Sequence, residues 1–251
     1  MTQSILITGG TGKFGRKFVE HFLAKKWQVL FTTTSHVRGD DLIEELGMPD
    51  GLVAITSDLT SPTAVNELLE VLKTNDRCIN HLVNNARSLD SLKTDALGQT
   101  SREDFVAEYL MDVVVPYELS MGLFNAQPDE LKTITNIGSQ YGVVAVNPNL
   151  YHDYPKSSPI QYGVAKAALS HLTKELAVRM ASKGIRVNCI AYGGVEGRVD
   201  DAFKERYGVL TPSARMLAED ELAGPLDFLV TASSSAVTGQ TLVADGGWSI
   251  W

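Results

Sequence analysis

The sequence of 251 residues has few cysteines, fewer basic than acidic side chains and no long apolar run. Its two cysteines, Cys78 and Cys189, are far apart in the sequence and lack the spacing of metal ligands. This argues against a disulfide scaffold and against a zinc site. We expect both cysteines to be buried thiols in a reducing compartment. Twenty-two Lys and Arg residues against 30 Asp and Glu residues give a formal net charge of −8, which disfavours a nucleic-acid partner. No apolar run approaches the roughly 18 residues of a membrane span.

The N-terminal segment also lacks the pattern of a secretory signal peptide, because the first β-like run, residues 4–7, begins almost at Met1. With 44% hydrophobic and 21% charged residues, the composition is typical of neither a disordered nor a fibrous protein. This length suits one α/β domain with a single core. We therefore expect one cytoplasmic domain over residues 1–251, with neither a metal site nor a membrane partner.

Short β-rich runs alternate with longer segments of helical periodicity. Strands are predicted at residues 5–8, 28–33, 52–56, 81–84, 132–137, 185–191 and 241–244. Helices are predicted at residues 12–26, 40–46, 62–74, 102–124, 160–182 and 214–231. The alternation contains no hairpin signal, so it predicts a parallel sheet with right-handed crossovers and helices on both faces.

Two long irregular stretches interrupt this alternation. Residues 147–159 contain three prolines, which block regular structure, and residues 193–212 separate the sixth strand from the last long helix. Loops of this length inside a compact domain are usually lids or binding loops.

A glycine-rich segment follows the first strand and opens the first helix. It reads Thr8-Gly9-Gly10-Thr11-Gly12-Lys13-Phe14-Gly15, in which the second, third and fourth glycines form G-x-G-x-x-G. Positions without a Cβ atom turn tightly and let backbone amides approach a pyrophosphate at the helix N-terminus. The alternative is a glycine-rich turn without a ligand, but the position between a strand and a helix favours dinucleotide binding.

The second strand ends without the acid that an NAD site usually places about 20 residues further on. No Asp or Glu lies between Glu20 and Asp40, and the strand is followed instead by Thr34, Ser35 and Arg38. Hydroxyl groups and a cation suit a ribose 2′-phosphate. The sequence therefore favours NADP(H); NAD(H) remains the alternative, with Arg38 as a solvated surface charge.

Tyr162 and Lys166 stand four residues apart at the start of a long predicted helix, which places both side chains on one face. An ammonium group beside a phenol favours the phenolate and makes the phenol a usable proton carrier near neutral pH. The same spacing also arises by chance, with the lysine in solvent. Tyr151 and Tyr154 are rival acid/base candidates, but neither has a lysine four residues on.

These motifs occur in order with Asn84-Asn85-Ala86 after the fourth strand, Ser139 after the fifth, and Asp245-Gly246-Gly247 near the C-terminus. From Ile5 to Gly247 the sequence resembles the short-chain dehydrogenase/reductase family. The resemblance implies one doubly wound Rossmann domain with a seven-stranded parallel sheet, a nicotinamide cofactor, and a homodimer or homotetramer.

The resemblance also implies roles for individual residues. Tyr162 matches the general acid/base, Lys166 the residue that binds the nicotinamide ribose, and Ser139 the hydroxyl that holds the substrate oxygen. Asp58 matches the adenine contact and Asn85 the segment lining the ribose. The full set of implied cofactor-binding residues is Gly9, Gly10, Thr11, Gly12, Lys13, Phe14, Gly15, Thr34, Ser35, Arg38, Asp58, Leu59, Asn85, Ala86, Arg87, Tyr162, Lys166, Gly193 and Val195.

Several positions depart from the family pattern. The glycine spacing is closer to the extended branch, whereas the Asp245-Gly246-Gly247 ending and the length favour the classical build. Asp112 stands where the family has an Asn of the proton relay, so it is either an altered relay residue or a neutral helix substitution.

Arg87 replaces a glycine of the family pattern. We expect it to offer its guanidinium group to an anionic group; the alternative is a surface arginine.

The segment between Ser139 and Tyr162 is longer than usual in the family. The surplus, residues 147–159, supplies tyrosines, His152 and Lys156, which we expect to wall a pocket for a polyhydroxylated ligand. Residues 193–215, above all the charged segment 198–215, resemble the family's mobile substrate lid, with a solvated helix face as the alternative. Both features resemble those of flagellin-modification dehydrogenases in bacterial sugar pathways.

The sequence thus predicts an NAD(P)-dependent oxidoreductase that interconverts a secondary alcohol and a ketone by hydride transfer. The expected substrate is a small polar carbonyl or alcohol compound, such as a sugar or sugar phosphate. One alternative is a sugar epimerase or dehydratase that recycles its cofactor. Another is a dinucleotide-sensing protein without catalysis, against which the intact set of Ser139, Tyr162 and Lys166 argues.

Overall fold

A sheet of seven parallel strands forms the centre of the computed structural model, which describes residues 2–197 and 199–251. The strands, β1 to β7, are Ser4–Ile7, Gln28–Thr33, Leu52–Thr56, His81–Asn84, Thr133–Ile137, Arg186–Tyr192 and Thr241–Ala244. Their order in the sheet is β3-β2-β1-β4-β5-β6-β7, and every neighbouring pair is parallel. The predicted doubly wound Rossmann architecture is confirmed.

Helices connect the strands and cover both faces of the sheet. The α-helices, α1 to α9, are Lys13–Ala24, His36–Glu45, Ala64–Thr74, Arg102–Tyr109, Val115–Ala126, Tyr154–Ser157, Ile160–Met180, Asp201–Val209 and Ala223–Val230. Within the described residues, no helix has the length and apolar character needed to cross a bilayer.

Alternating side chains of the strands divide the core into two layers. Leu6, for example, packs with residues of α3, α5 and α7 on one face, whereas Ile5 and Ile7 pack with α1 and α9 on the other. Because both faces are covered, the inner strands are almost entirely buried, including polar residues such as His81, Asn136 and Asn188. The strand order reverses beside β1, and this opens a crevice at the carboxyl ends of β1 and β4 where such folds bind ligands.

The structure corrects three predicted helices. The segment 214–231 is α-helical only from Ala223. Helix α8, in contrast, lies within a stretch predicted to be irregular. It is capped by Asp200, whose carboxylate accepts a hydrogen bond from the Phe203 amide at 2.7 Å. Helix α2 begins at His36 rather than at residue 40, because Ser35 caps it. The segment 102–124 is divided into α4 and α5 by a π turn over Leu110–Val114.

Candidate active site

The glycine loop packs tightly between β1 and α1. The Gly9 amide donates to the Thr32 hydroxyl at 3.1 Å, and Gly9 has a φ of 68°. A Cβ atom on Gly15 would lie 2.2 Å from the Gly9 carbonyl oxygen, and one on Gly10 would lie 2.4 Å from the Phe31 side chain. These glycines therefore hold the helix close to the loop, as predicted for the third glycine of the motif.

The N-terminus of α1 has the features of a pyrophosphate site. No side chain caps Gly12, the first turn holds no acidic residue, and among the described residues the Lys13 and Phe14 amides have no hydrogen-bond acceptor. A Cβ atom on Gly12 would approach only the Gly9 carbonyl oxygen, at 3.3 Å, so the space above it is open. Free amides at a positive helix end, with room above them, fit the phosphates of a dinucleotide.

Lys13 joins this loop to the segment after β6. Its Nζ atom lies 3.3 Å from the Val195 carbonyl oxygen and 3.6 Å from the Glu219 carboxylate. The Gly193 amide donates to the Ala244 carbonyl at 3.0 Å, which holds the start of that segment against β7. Lys13, Gly193 and Val195 are thus brought to one edge of the crevice, whereas the Phe14 ring packs edge-on against Tyr192 and leaves only its backbone for a ligand.

The carboxyl end of β2 presents hydroxyl groups and a guanidinium group. The Thr11 and Thr33 hydroxyls lie 3.1 Å apart, and the exposed Arg38 donates to the Thr34 hydroxyl at 3.0 Å. Ser35 caps α2 by accepting from the Arg38 amide. The polar set expected for a 2′-phosphate is therefore assembled in one place.

The ends of β3 and β4 lie on either side of the glycine loop. Asp58 accepts hydrogen bonds from the Thr60 amide and hydroxyl, at 3.1 and 2.7 Å, and Leu59 is buried in the core. The Asn85 side-chain amide donates to the Thr8 carbonyl at 2.8 Å, and a Cβ atom on Gly9 would lie 2.8 Å from the Cα atom of Ala86. Asn85 and Ala86 therefore brace the loop, a role that sequence reasoning did not assign to them.

The predicted catalytic side chains converge beside β5. Ser139 follows β5 and is buried; Tyr162 and Lys166 lie on α7, with the lysine Nζ atom 5.8 Å from the centre of the tyrosine ring. The Lys166 ammonium donates to the Ile137 carbonyl at 2.9 Å and to the Asp112 carboxylate at 3.0 Å. The lysine is buried, so the alternative in which it is solvated does not describe this structure.

Lys166 remains charged despite its burial. Desolvation by burial lowers the pKa of its ammonium group, but the nearby Asp112 carboxylate and Tyr162 raise it, and the net direction is upward. The group that faces Tyr162 is therefore a cation fixed by two hydrogen bonds.

Asp112 reaches Lys166 because of the π turn. The Val115 amide donates to the Leu110 carbonyl, five residues back. Pro116 has no amide hydrogen, and in a regular helix its ring would clash with the carbonyl four residues earlier, that of Asp112. The wider turn relieves this conflict and turns Asp112 inward, where it replaces the polar contact of the family's Asn with an ion pair.

Arg87 lies over the candidate acid/base. Its guanidinium carbon is 4.5 Å from the centre of the Tyr162 ring, in the range of a cation–π contact. Arg87 is exposed, and within the described residues no carboxylate forms an ion pair with it. A cation without a counterion beside the reacting group can bind an anion there.

The 147–159 insertion contributes one aromatic side chain to the interior and two polar side chains to the surface. The Tyr151 hydroxyl lies 3.3 Å from that of Tyr141, and its ring packs against Phe203 of α8 at 5.7 Å. His152 pairs with Arg206 at 3.1 Å and Lys156 with Asp153 at 3.2 Å; both are exposed. That His152 and Lys156 line the substrate pocket stays a prediction.

Tyr151 is also a poor rival to Tyr162 as proton carrier. Desolvation by burial raises the pKa of the Tyr151 phenol and outweighs the hydrogen bond with Tyr141. Among the described residues, the Lys166 ammonium group lies against the ring of Tyr162 and not against that of Tyr151.

The predicted lid segment is anchored beside Ser139 by a contact that sequence reasoning missed. The Tyr207 hydroxyl of α8 accepts from the Gly194 amide at 2.8 Å and donates to the side chain of Gln140, the neighbour of Ser139, at 2.9 Å. The Tyr207 ring stacks on Trp248 at 4.5 Å. Arg198, with which the predicted charged segment begins, lies outside the described residues.

Sequence reasoning also missed Glu108 and Ser91. Glu108 is buried in α4 and accepts a hydrogen bond from the Ser91 hydroxyl. The only signal available in the sequence is that Glu108 precedes Asp112 by four residues, a spacing that the π turn makes difficult to interpret.

Comparisons with known proteins agree with this fold. A family model described as enoyl-(acyl carrier protein) reductase matches residues 13–249. An uncharacterized short-chain type dehydrogenase/reductase of Sinorhizobium fredii, y4vI, is 32% identical over 97% of this chain and 43% of its own length. Post-translational flagellin modification protein A of Campylobacter coli is 38% identical over 47% of this chain and 46% of its own length. Each of these two matches thus spans less than half of the relative's length.

A solved structure is similar over nearly the whole chain. The short chain dehydrogenase from Leptospira borgpetersenii, with bound NAD+, superposes with a TM-score of 0.88 and is 29% identical. The match covers 99% of this chain and 93% of the other.

Proposed function

Because the chain belongs to the short-chain dehydrogenase/reductase family, and is accordingly an NAD(P)-dependent oxidoreductase, we propose that it interconverts a secondary alcohol and a ketone on a small, polar, anionic substrate. The observation that carries the proposal is the buried Lys166 ammonium, held by Asp112 and the Ile137 carbonyl and facing the ring of Tyr162.

The protein's part in this reaction is to position groups and to carry a proton. The bound nicotinamide cofactor supplies the hydride chemistry. The free amides at the start of α1 and the Lys13 ammonium would hold its phosphates, and Thr34, Ser35 and Arg38 support a preference for NADP(H). The Ser139 hydroxyl holds the substrate oxygen, and the Tyr162 hydroxyl gives that oxygen a proton in reduction or accepts one in oxidation.

The held ammonium explains why Tyr162 can do this. Tyr162 must lose its proton during reduction, and the positive charge of Lys166 stabilises the resulting phenolate. Asp112 and the Ile137 carbonyl prevent the lysine from turning away, so the charge is in place before the reaction begins.

The substrate class is proposed from Arg87 and the insertion. An unpaired guanidinium beside Tyr162 suits a carboxylate or phosphate, and the Tyr141 and Tyr151 phenols suit a polyhydroxylated body. The description of the matching family model favours a second candidate, an acyl carrier thioester.

The test combines one substitution with a substrate panel. Tyr162→Phe retains the ring and its contacts, so we expect NADPH binding, followed by fluorescence titration, to stay within about twofold, and turnover to fall by at least about 100-fold. Keto-sugar acids and phosphates, and acyl thioesters, are assayed separately by the loss of NADPH absorbance. Unchanged turnover in Tyr162→Phe would exclude the mechanism, and turnover of thioesters alone would exclude the proposed substrate. Conversion without any net absorbance change would instead indicate an epimerase or dehydratase.

We further propose that the protein is a cytoplasmic homodimer or homotetramer. Apolar side chains are exposed on the two helices around the π turn and on α7, and the exposed Cys78 carries a free thiol, which suits a reducing compartment. Light scattering coupled to size-exclusion chromatography measures the assembly directly.

A further inference from the structure

Three ionisable side chains are buried together behind Tyr162. Lys166, Asp112 and Glu108 are 5%, 2% and 1% exposed. The proposed reaction uses the lysine and the aspartate, which form an ion pair. Glu108 has no role in that scheme, although burying a carboxyl group without a function is unfavourable.

Hydrogen bonds connect Glu108 to the residue that precedes Tyr162. The Ser91 hydroxyl donates to the Oε2 atom of Glu108, and the Ser91 carbonyl accepts from the Gln161 side-chain amide at 2.7 Å. The other end of the Gln161 side chain accepts from the Thr100 hydroxyl at 2.6 Å. Glu108 is therefore fixed on one side by a network that also fixes the start of α7.

On its other side the carboxyl group has an oxygen atom with no partner. The Oε1 atom of Glu108 and the Oδ2 atom of Asp112 are both buried, and neither has a hydrogen-bond partner within the described residues. Two ionised carboxylates would leave both buried oxygen atoms as acceptors without a donor. One added proton would give this pair a donor.

The surrounding charges determine which carboxyl group carries the proton. The charged groups that act on Glu108 are Asp112, Arg87 and Lys166. Desolvation by burial raises the pKa of Glu108, and the Asp112 charge raises it further, against the lowering effects of the Ser91 hydrogen bond and the two cations. Asp112 is in direct contact with the Lys166 ammonium and is the better site for the negative charge.

We propose that Glu108 is a positioning residue that stays protonated and donates its proton, directly or through one water molecule, to the free oxygen of Asp112. This donation holds the Asp112 carboxylate on Lys166 and keeps the buried cluster neutral, so that a second negative charge does not cancel the field of the ammonium at Tyr162. The role rests on the proposed proton transfer by Tyr162, whereas the protonation state of Glu108 does not.

Infrared spectroscopy tests the protonation state without any substrate. At neutral pH the wild-type protein is expected to show the C=O stretch of a protonated carboxylic acid, and Glu108→Gln to lack it. Glu103→Gln, at an exposed position of the same helix, is the matched control and should retain the band. Absence of the band in the wild type, or its loss in the control, would overturn the inference.

The pH dependence of stability gives a second readout. A carboxyl group whose folded-state pKa is raised loses its stabilising contribution as pH rises from the ordinary value of 4.5 through the folded value. Glu108→Gln does not titrate, so its melting temperature relative to wild type should rise across this window. A constant difference between the two proteins would contradict a protonated Glu108.

Kinetics test the positioning role. Glu108→Ala leaves the Asp112 oxygen without a donor, and we expect kcat to fall by about tenfold with little change in KM. Glu108→Gln keeps a donor of similar shape and should recover most of that loss. Equal losses in both variants, or none in Glu108→Ala, would refute positioning. If Tyr162→Phe were fully active, the proposed function would fail while the infrared result still stood.

Discussion

At the scale of single residues, Arg87 distinguishes this chain most clearly from the family pattern that its sequence resembles. Family members have a glycine here, whereas in this structure a guanidinium group lies 4.5 Å from the centre of the Tyr162 ring. In this position the positive charge of Arg87 interacts with the proposed proton carrier, Tyr162, and with a ligand bound next to it. The sequence could show that the residue was unusual, but only the fold shows that its guanidinium group lies over the ring of Tyr162.

Replacing Arg87 should therefore affect the substrate more than the cofactor. For Arg87→Ala we expect KM for an anionic substrate to rise by about tenfold or more, because a charge-assisted hydrogen bond is lost. Arg87→Lys should recover only part of this loss, since an ammonium group lacks the planar fork of donors. Steady-state kinetics with a neutral analogue provide the control, because its KM should not change. If neither variant changes KM for the substrate or the cofactor, Arg87 is a surface arginine only.

At the scale of elements, the boundary between β2 and α2 sets the proposed cofactor preference. Thr34 and Ser35 join the strand to the helix, Arg38 lies in the first turn of the helix, and the Ser35 cap fixes where the helix begins. The side chain of Arg38 therefore projects from the first turn of α2 and reaches the Thr34 hydroxyl. No carboxylate follows β2 directly to repel a 2′-phosphate.

Arg38→Ala should weaken NADPH binding and leave NADH binding unchanged. We expect the Kd for NADPH to rise by about tenfold, because one charge-assisted contact to the 2′-phosphate is removed. Isothermal titration with both cofactors measures the effect, and Arg102→Ala, at another exposed arginine, controls for the loss of a positive charge. If Arg38→Ala weakened the binding of NADPH and NADH equally, this residue would not contact the 2′-phosphate.

The elements also show which features a sequence can reveal. The bounds of β2, β3, β4 and β7 are those predicted, because each strand is a short β-rich run that local pattern identifies. Helix α8 was missed because its sequence is polar and its only start signal is Asp200. The π turn depends on Pro116 within a helical path, and the sequence alone suggested one continuous helix there.

At the scale of the whole molecule, the parts of the candidate site formed by residues close together in the sequence could be predicted. Contacts between residues far apart in the sequence could not. The glycine loop and the Tyr162–Lys166 pair are short-range patterns whose structural setting is the expected one. The contacts of Glu108 with Ser91 and of Tyr207 with Gln140 join residues 17 and 67 positions apart. Spacing in the sequence does not encode such pairs, because they form only when the sheet and its loops are assembled.

Cofactor binding should stabilise the entire fold, because the crevice is built from the ends of several strands of one sheet. At a concentration of about 100 times its Kd, NADPH should add about 2.7 kcal/mol to the free energy of unfolding. For a domain of this size that corresponds to an increase in melting temperature of roughly 5 to 11 °C. Differential scanning fluorimetry with and without the cofactor measures the shift.

Two glycine substitutions separate binding from folding in this experiment. Gly12→Val adds a side chain above the free amides of α1, where the protein leaves space, so we expect the melting temperature without cofactor to fall little and the shift with NADPH to disappear. Gly15→Ala places a Cβ atom 2.2 Å from the Gly9 carbonyl oxygen, so it should lower the melting temperature even without cofactor. If Gly12→Val kept the full NADPH shift, the N-terminus of α1 would not be the phosphate site, and the crevice would have to bind the dinucleotide through other groups.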